Sequence, residues 1–134
     1  MEMMEKIKEI RNKKNASLVV AYQNGTIEEY YQERIIDLVS ILKENPEALK
    51  QSIVADKVVG KVAASVMAVA GVSKLHANTL SKIAIPVLEQ AGITYSYDSL
   101  VDYIKNKDQT GMCPMENKYQ NEMDVNKIYK EMVK

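Results

Sequence analysis

Apolar residues recur at helical spacing over residues 3–13, where Met3, Met4, Ile7 and Ile10 stand among Glu and Lys. That pattern predicts a short amphipathic helix with one packed face. The pattern then changes. Residues 16–23, ASLVVAYQ, are rich in β-formers, and Asn24-Gly25 follows them. Asn-Gly between such runs is the strongest short-range hairpin signal, and TIEEYYQ (26–32) supplies the return strand. From Glu33 helical spacing resumes, with Ile35, Leu38, Val39 and Leu42 in one stripe. Asn45-Pro46 stops that helix and predicts a short second one over 46–51, with Asn45 as N-cap and Pro46 at its first position.

Residues 55–71, ADKVVGKVAASVMAVAG, predict a helix that is apolar nearly all round, and so buried on several sides. In that reading Asp56 is its N-cap. Gly60 lies inside it, at a cost of roughly 1 kcal/mol against Ala. Gly71 stands just past its end, with Val72 as the accompanying apolar contact. KLHANTL (74–80) reads as a strand and SKIAIPVLEQAG (81–92) as a helix, with Pro86 in its first turn and Gly92 as its stop. ITYSYD (93–98) alternates as a strand, SLVDYI (99–104) reads as one or two helical turns, and 105–112 is a loop. Residues 114–122 and 124–133 read as closing helices, the second capped by Asp124. A hairpin followed by β-α-β pieces predicts an α/β protein: a mixed sheet of four to five strands, covered by helices on both faces and joined by right-handed crossovers.

Composition narrows the function classes. A chain of 134 residues makes one domain, 1–134, with no linker or internal repeat. Lys plus Arg and Asp plus Glu both number 18. That balance argues against a basic surface for nucleic acid. No apolar run approaches the ~20 residues of a membrane span. The charged N-terminus lacks the apolar stretch of a signal peptide, so a cytoplasmic protein with no membrane partner is expected. One cysteine, Cys113, excludes an internal disulfide, and one histidine, His76, leaves too few soft ligands for a standard zinc site. No metal or cofactor is expected. Eight Tyr supply every aromatic ring; they suit core edges, a surface cleft or a subunit contact.

The segments VADKVVGKVAA (54–64) and TGMCPMEN (110–117), with SYDSLVDYI before the second, carry a resemblance. From about Ser17 onward the chain resembles an uncharacterised prokaryotic family, a domain of unknown function, of the cytidine deaminase-like superfamily. The resemblance implies a three-layer α-β-α sandwich: a helix over 1–14, a deaminase-like core over 16–104, and a loop with C-terminal helices over 105–134. Zinc deaminases place H-x-E and P-C-x-x-C at two helix starts. Here Ala55-Asp56-Lys57 and Leu80-Ser81-Lys82-Ile83 occupy the corresponding positions, so the zinc ligands and the proton-shuttling glutamate are absent. What the resemblance leaves is a cleft at two helix N-termini, which suits anions. Relatives of this kind commonly associate, so a homodimer or larger assembly is expected.

Several side chains are candidates for such a cleft. Lys57 and Lys61, four apart, would share a helix face and bind a phosphate or carboxylate, or one of them would act as a base; otherwise both reach to solvent. Asp56 would either cap the helix or meet a ligand hydroxyl. Cys113, Pro114 and Glu116 fit the N-cap, first and third positions of a helix. A thiol so placed gains thiolate character, but a catalytic Cys needs a His, and His76 is the only one. Thr79 and Ser81, at a strand end, would donate to a ligand or cap the next helix. The function expected is binding of a small anionic or nucleotide-like ligand by Asp56, Lys57, Lys61, Thr79, Ser81, Cys113 and Glu116. The alternatives are a zinc-independent enzyme using Lys57, Lys61 or Cys113, and a protein-interaction module with a vestigial cleft.

Overall fold

The hairpin forms at Asn24-Gly25, where Gly25 takes φ 91° and the Asn24 side chain accepts from the Thr26 N–H at 2.9 Å. In this computed structural model, which describes residues 2–33 and 35–133, β1 (Leu18–Ala21) and β2 (Ile27–Tyr30) pair antiparallel, with Leu18 opposite Tyr30. β1 also pairs antiparallel with β3 (Ile53–Val59). β4 (Lys74–Ser81) and β5 (Thr94–Val101) then add in parallel. The result is one mixed five-stranded sheet in the order β2-β1-β3-β4-β5.

One helix, α1 (Met3–Lys14), covers one face of this sheet; its Met4 and Ile7 pack on Val19, Ala21 and Ala55. The other face carries the main core. Leu18, Val20, Val54, Leu75 and Ala77 point from the sheet into side chains of α2 (Ile36–Glu44), α3 (Lys61–Ala70) and α4 (Ile85–Gln90). A 3-10 turn, Lys82–Ala84, precedes α4. α5 (Pro114–Tyr119) and α6 (Val125–Met132) close the chain against α3, where Val62, Tyr119 and Ile128 share a buried cluster. Asp124 caps α6, its carboxylate accepting from the N–H of Asn126 at 2.9 Å. Among the described residues, no helix is long and apolar enough to cross a membrane.

Three expected elements differ. The long helix over 55–71 is a strand followed by a shorter helix. β3 lies between β1 and β4; its Val54, Ala55 and Asp56 are buried in succession, and a stretch buried on both faces loses the alternation that marks a half-exposed strand. Its Val58-Val59 then runs into the apolar start of α3 and imitates a single helical stripe. Gly60 is therefore the N-cap of α3, at φ −106°, rather than a helix-interior residue. Asp56 caps nothing; it sits within β3, opposite Leu18 and Ala77. Lys57 belongs to the strand and Lys61 to the helix, so they share no helix face. Residues 99–101 continue β5, because β4 still offers ladder partners there: Ser99 opposite Thr79 and Val101 opposite Ser81. The helix expected over 46–51 is a chain of turns. Asn45 Oδ1 accepts from the Glu47 N–H at 3.0 Å, and Gln51 at φ 59° ends the segment.

Candidate functional site

In open α/β sheets, ligands bind beyond the carboxyl ends of the strands. A cavity of about 340 Å³ lies there, between the end of β3, the start of α3 and the segment 104–116. Asp56, Lys57, Gly60, Lys105, Cys113 and Glu116 are among its walls. Its floor is set by what Glu116 does. This side chain is only 2% exposed, and both oxygens are engaged: Oε1 accepts from the Lys61 N–H at 2.7 Å and Oε2 from the Ile104 N–H at 2.9 Å. α3 has no local side-chain cap. Glu116 supplies both the acceptor and the negative charge that a helix N-terminus favours. Gly60 makes room for it, since a Cβ there would lie 2.7 Å from Oε1 and 2.9 Å from Ile104 Cγ1.

The two candidate lysines separate. Lys61 is buried, and its Nζ donates to the Gln120 carbonyl at the end of α5 at 2.9 Å. Burial pulls its pKa below the usual ammonium range, against the opposing charges of Glu122 and Glu116. Lys57 is exposed and borders the cavity. Lys105 and Lys107 border it too, on a loop organised by Asn106, whose side chain accepts from the Thr110 N–H at 3.0 Å. Lys107 lies 2.9 Å from Glu33.

Asp56 is a second buried carboxyl in the cavity wall, 7% exposed. Burial pushes it up to about 7; the backbone N–H groups of Val58 and Lys57, and then the Arg11 charge, oppose that rise. Cys113 is the N-cap of α5 and is buried in the cavity wall. His76 is not beside it: its ring lies on the sheet face that α1 covers, within reach of the charges of Lys8 and Glu5. Thr79 and Ser81 stand at the end of β4, outside the cavity walls. Ser81 Oγ accepts from the Ile83 N–H at 3.2 Å and so caps the turn that follows.

The structure thus brings Asp56, Lys57, Cys113 and Glu116 together, turns the Lys61 ammonium away, and leaves Thr79 and Ser81 apart. It adds Lys105 and Lys107, which the sequence pattern shows only as loop. The available signal was Lys-Asn-Lys just beyond a strand's carboxyl end. A second hollow, about 620 Å³, lies beside the hairpin and is lined by Glu28 and Glu47 but by no cation. It does not match an anion.

These features define a layered α/β protein with a small cavity, bordered by both charged and apolar side chains, at the carboxyl end of its central strand. The chain belongs to the TM1506 family, a domain of unknown function (DUF1893), whose profile matches residues 6–134. It is similar to the crystal structure of a DUF1893 family protein (TM1506) from Thermotoga maritima, at 29% identity and a TM-score of 0.85, over 98% of this chain and 89% of that one. No curated protein matches the chain.

Proposed function

We propose that the cavity binds a small anionic, nucleotide-like metabolite. Asp56 would meet its hydrogen-bonding end, and Lys57 and Lys105 its anionic end. One observation carries the reading: a buried carboxyl and exposed ammonium groups border the same 340 Å³ space. That volume falls at the lower end of small-molecule sites. Neither Lys57 nor Lys105 has an ion-pair partner among the described residues, so their charges remain for a ligand. The hairpin followed by alternating helices and strands supports the resemblance to cytidine deaminase-like proteins. On that reading the first zinc-bearing position falls at Gly60-Lys61-Val62, where α3 begins, rather than at 55–57. The second falls near Ser81-Lys82-Ile83, and neither contains His or Cys. Asp56, held near neutrality, favours one second reading, a zinc-independent enzyme in which it exchanges a proton with the bound molecule.

Thermal melting with cytidine and adenosine monophosphates, and with inorganic phosphate, tests the site. A nucleoside monophosphate raises the wild-type melting point. Lys57→Met weakens that response by a charge-assisted contact of about 1.5–3 kcal/mol, or one to two decades in affinity. Lys61→Met responds as wild type does, because its ammonium group is turned toward Gln120. If no anion moves the wild-type melting point, or if Lys57→Met responds fully, the binding site is wrong.

A further inference from the structure

A second cluster lies on the opposite face of the sheet and plays no part in the cavity. His76 on β4 stands opposite Ser96 on β5 in the parallel ladder. Its Nδ1 is 2.7 Å from Ser96 Oγ. Its Nε2 is 3.2 Å from Asp98 Oδ1, off the line of a strict hydrogen bond, and meets no other acceptor among the described residues. Asp98 is thus the group to which a proton on Nε2 can turn. With the proton there, Nδ1 is a bare acceptor, and Ser96 donates to it. Catalytic hydrogen bonds are often long or poorly aligned until a substrate is bound. Ser96 is exposed while the imidazole is 3% exposed, so the serine is reachable from solvent and its base is shielded.

We propose that Ser96, His76 and Asp98 form a nucleophilic serine site that accepts acyl groups from small carboxylic esters. The arrangement has the logic of a serine-histidine-aspartate triad, which is defined by geometry and roles rather than by position in a sequence. Here the two ring nitrogens exchange roles. Ser96 Oγ adds to the ester carbonyl carbon, and its proton passes to His76 Nδ1. The carbon–oxygen bond to the leaving group breaks, and the departing oxygen takes that proton. Water then adds to the acyl carbon and gives a proton to Nδ1, which returns it to Ser96 Oγ as the carboxylic acid leaves. Lys8 of α1 is close enough for its charge to act on His76. Asn78, on the same side, donates to Asn12 of α1 at 3.2 Å. Lys8 also lies 3.6 Å from Glu5, so on this reading an oxyanion would draw Lys8 or Asn78 from its present partner. Asp98 acts through His76 and is a positioning residue.

The charged groups facing the ring are Asp98 from β5 and Lys8 and Glu5 from α1. Burial, then Lys8, lowers the His76 pKa from the usual imidazole value, against Asp98 and Glu5. Acylation should therefore persist at mildly acidic pH and fail only when the ring is protonated. The test treats the full chain with a fluorophosphonate, which phosphonylates an activated serine and expels fluoride, and maps the label by peptide mass spectrometry. Turnover of p-nitrophenyl acetate is followed in parallel. The label is expected on Ser96 and is lost in Ser96→Ala. Asp98→Asn slows labelling about tenfold, less than the roughly hundredfold or more that a general base contributes, because Asp98 acts only through His76. It also moves the acid limb of the pH profile to lower pH, because a charge that favours the protonated ring is gone. Ser96→Ala leaves the buried Nδ1 without its partner and lowers the melting point by a few degrees, so circular dichroism at the assay temperature checks that both variants are folded. An unlabelled Ser96 in the wild type overturns the proposal. So does a label that survives Ser96→Ala, or an Asp98→Asn protein with the wild-type rate and pH profile.

Discussion

Replacing Glu116 with Gln changes one atom and tests how the cavity is built. The carboxylate accepts from two backbone N–H groups, one on each oxygen, at 2.7 and 2.9 Å. An amide offers one acceptor, so one of those N–H groups must face an NH₂ group. The side chain is 2% exposed, and no water replaces the lost bond without opening the wall. A hydrogen bond to a charged group contributes about 1.5–3 kcal/mol, and a buried N–H left unsatisfied costs a similar amount. The expected loss is about 2–3 kcal/mol. For a domain of this size that lowers the melting point by roughly 6–12 °C. Gly60→Ala attacks the same contact from the other side, since its Cβ would lie 2.7 Å from Glu116 Oε1. With φ at −106° the alanine carries no backbone strain, so its cost of about 1–3 kcal/mol is steric alone. Once the alanine has displaced the carboxylate, the glutamine has less left to remove. The double variant should therefore cost less than the two single variants added together, by about 1 kcal/mol. Urea unfolding at pH 7, followed by circular dichroism, measures all three. A Glu116→Gln midpoint within 0.5 kcal/mol of wild type, or costs that simply add, would refute the capping role.

The Asp56 carboxyl, raised from 3.8 to about 7, holds a proton that the unfolded chain has released. Its contribution is therefore full below about pH 4 and lost as pH rises through 7. Stability of wild type relative to Asp56→Asn should fall by a few kcal/mol from pH 4 to pH 8, read from urea midpoints; a flat difference would contradict the burial argument. Lys61→Met removes the bond to the Gln120 carbonyl but also relieves a desolvated ammonium, so a net loss of about 1 kcal/mol is expected. Lys57→Met should stay within ~0.5 kcal/mol of wild type; equal losses in the two variants would mean that their different burial is wrong. Light scattering at ~100 μM, well above common oligomer dissociation constants, should show a homodimer or larger, and a monomer would remove that expectation.

Local signals were legible in the sequence, and distant ones were not. Asn24-Gly25 gave the hairpin, Asp124 gave the start of α6, and Gly71, at φ 85°, gave the end of α3. Each of these acts through its own backbone or through neighbours within a few residues. The periodicity of α1 and α2 was legible because each has one wet face. β3 was not, since Val54 to Asp56 are buried in succession without alternation and its Val58-Val59 merges with the apolar start of α3. The candidate site followed the same division. Asp56, Lys57, Cys113 and Glu116 do border one cavity, but Lys57 and Lys61 share no helix face, since one lies in β3 and the other in α3. The signal that could have located the boundary was Gly60 itself. A glycine between a β-branched pair and an alanine-rich run fits a strand-to-helix junction as well as a tolerated defect in a helix.

The two kinds of helix cap also explain why the cavity has firm walls. Asp124 satisfies the start of α6 from within its own turn, so that helix start depends on nothing remote. α3 instead takes its cap from Glu116, 55 residues away in the chain, and the same carboxylate holds Ile104. One buried side chain thereby ties the central helix, the end of the loop carrying Lys105 and Lys107, and the first turn of α5 into a single unit. The Cys113 N–H adds a second tie to the Ile104 carbonyl at 2.7 Å. Because Glu116 already satisfies the amino end of α3, that helix terminus is not the part of the cavity left for an anion. In the proposed binding mode, selectivity would rest on buried Asp56 and the exposed Lys57 and Lys105. They border a space in which Gly60 leaves room for the Glu116 carboxylate.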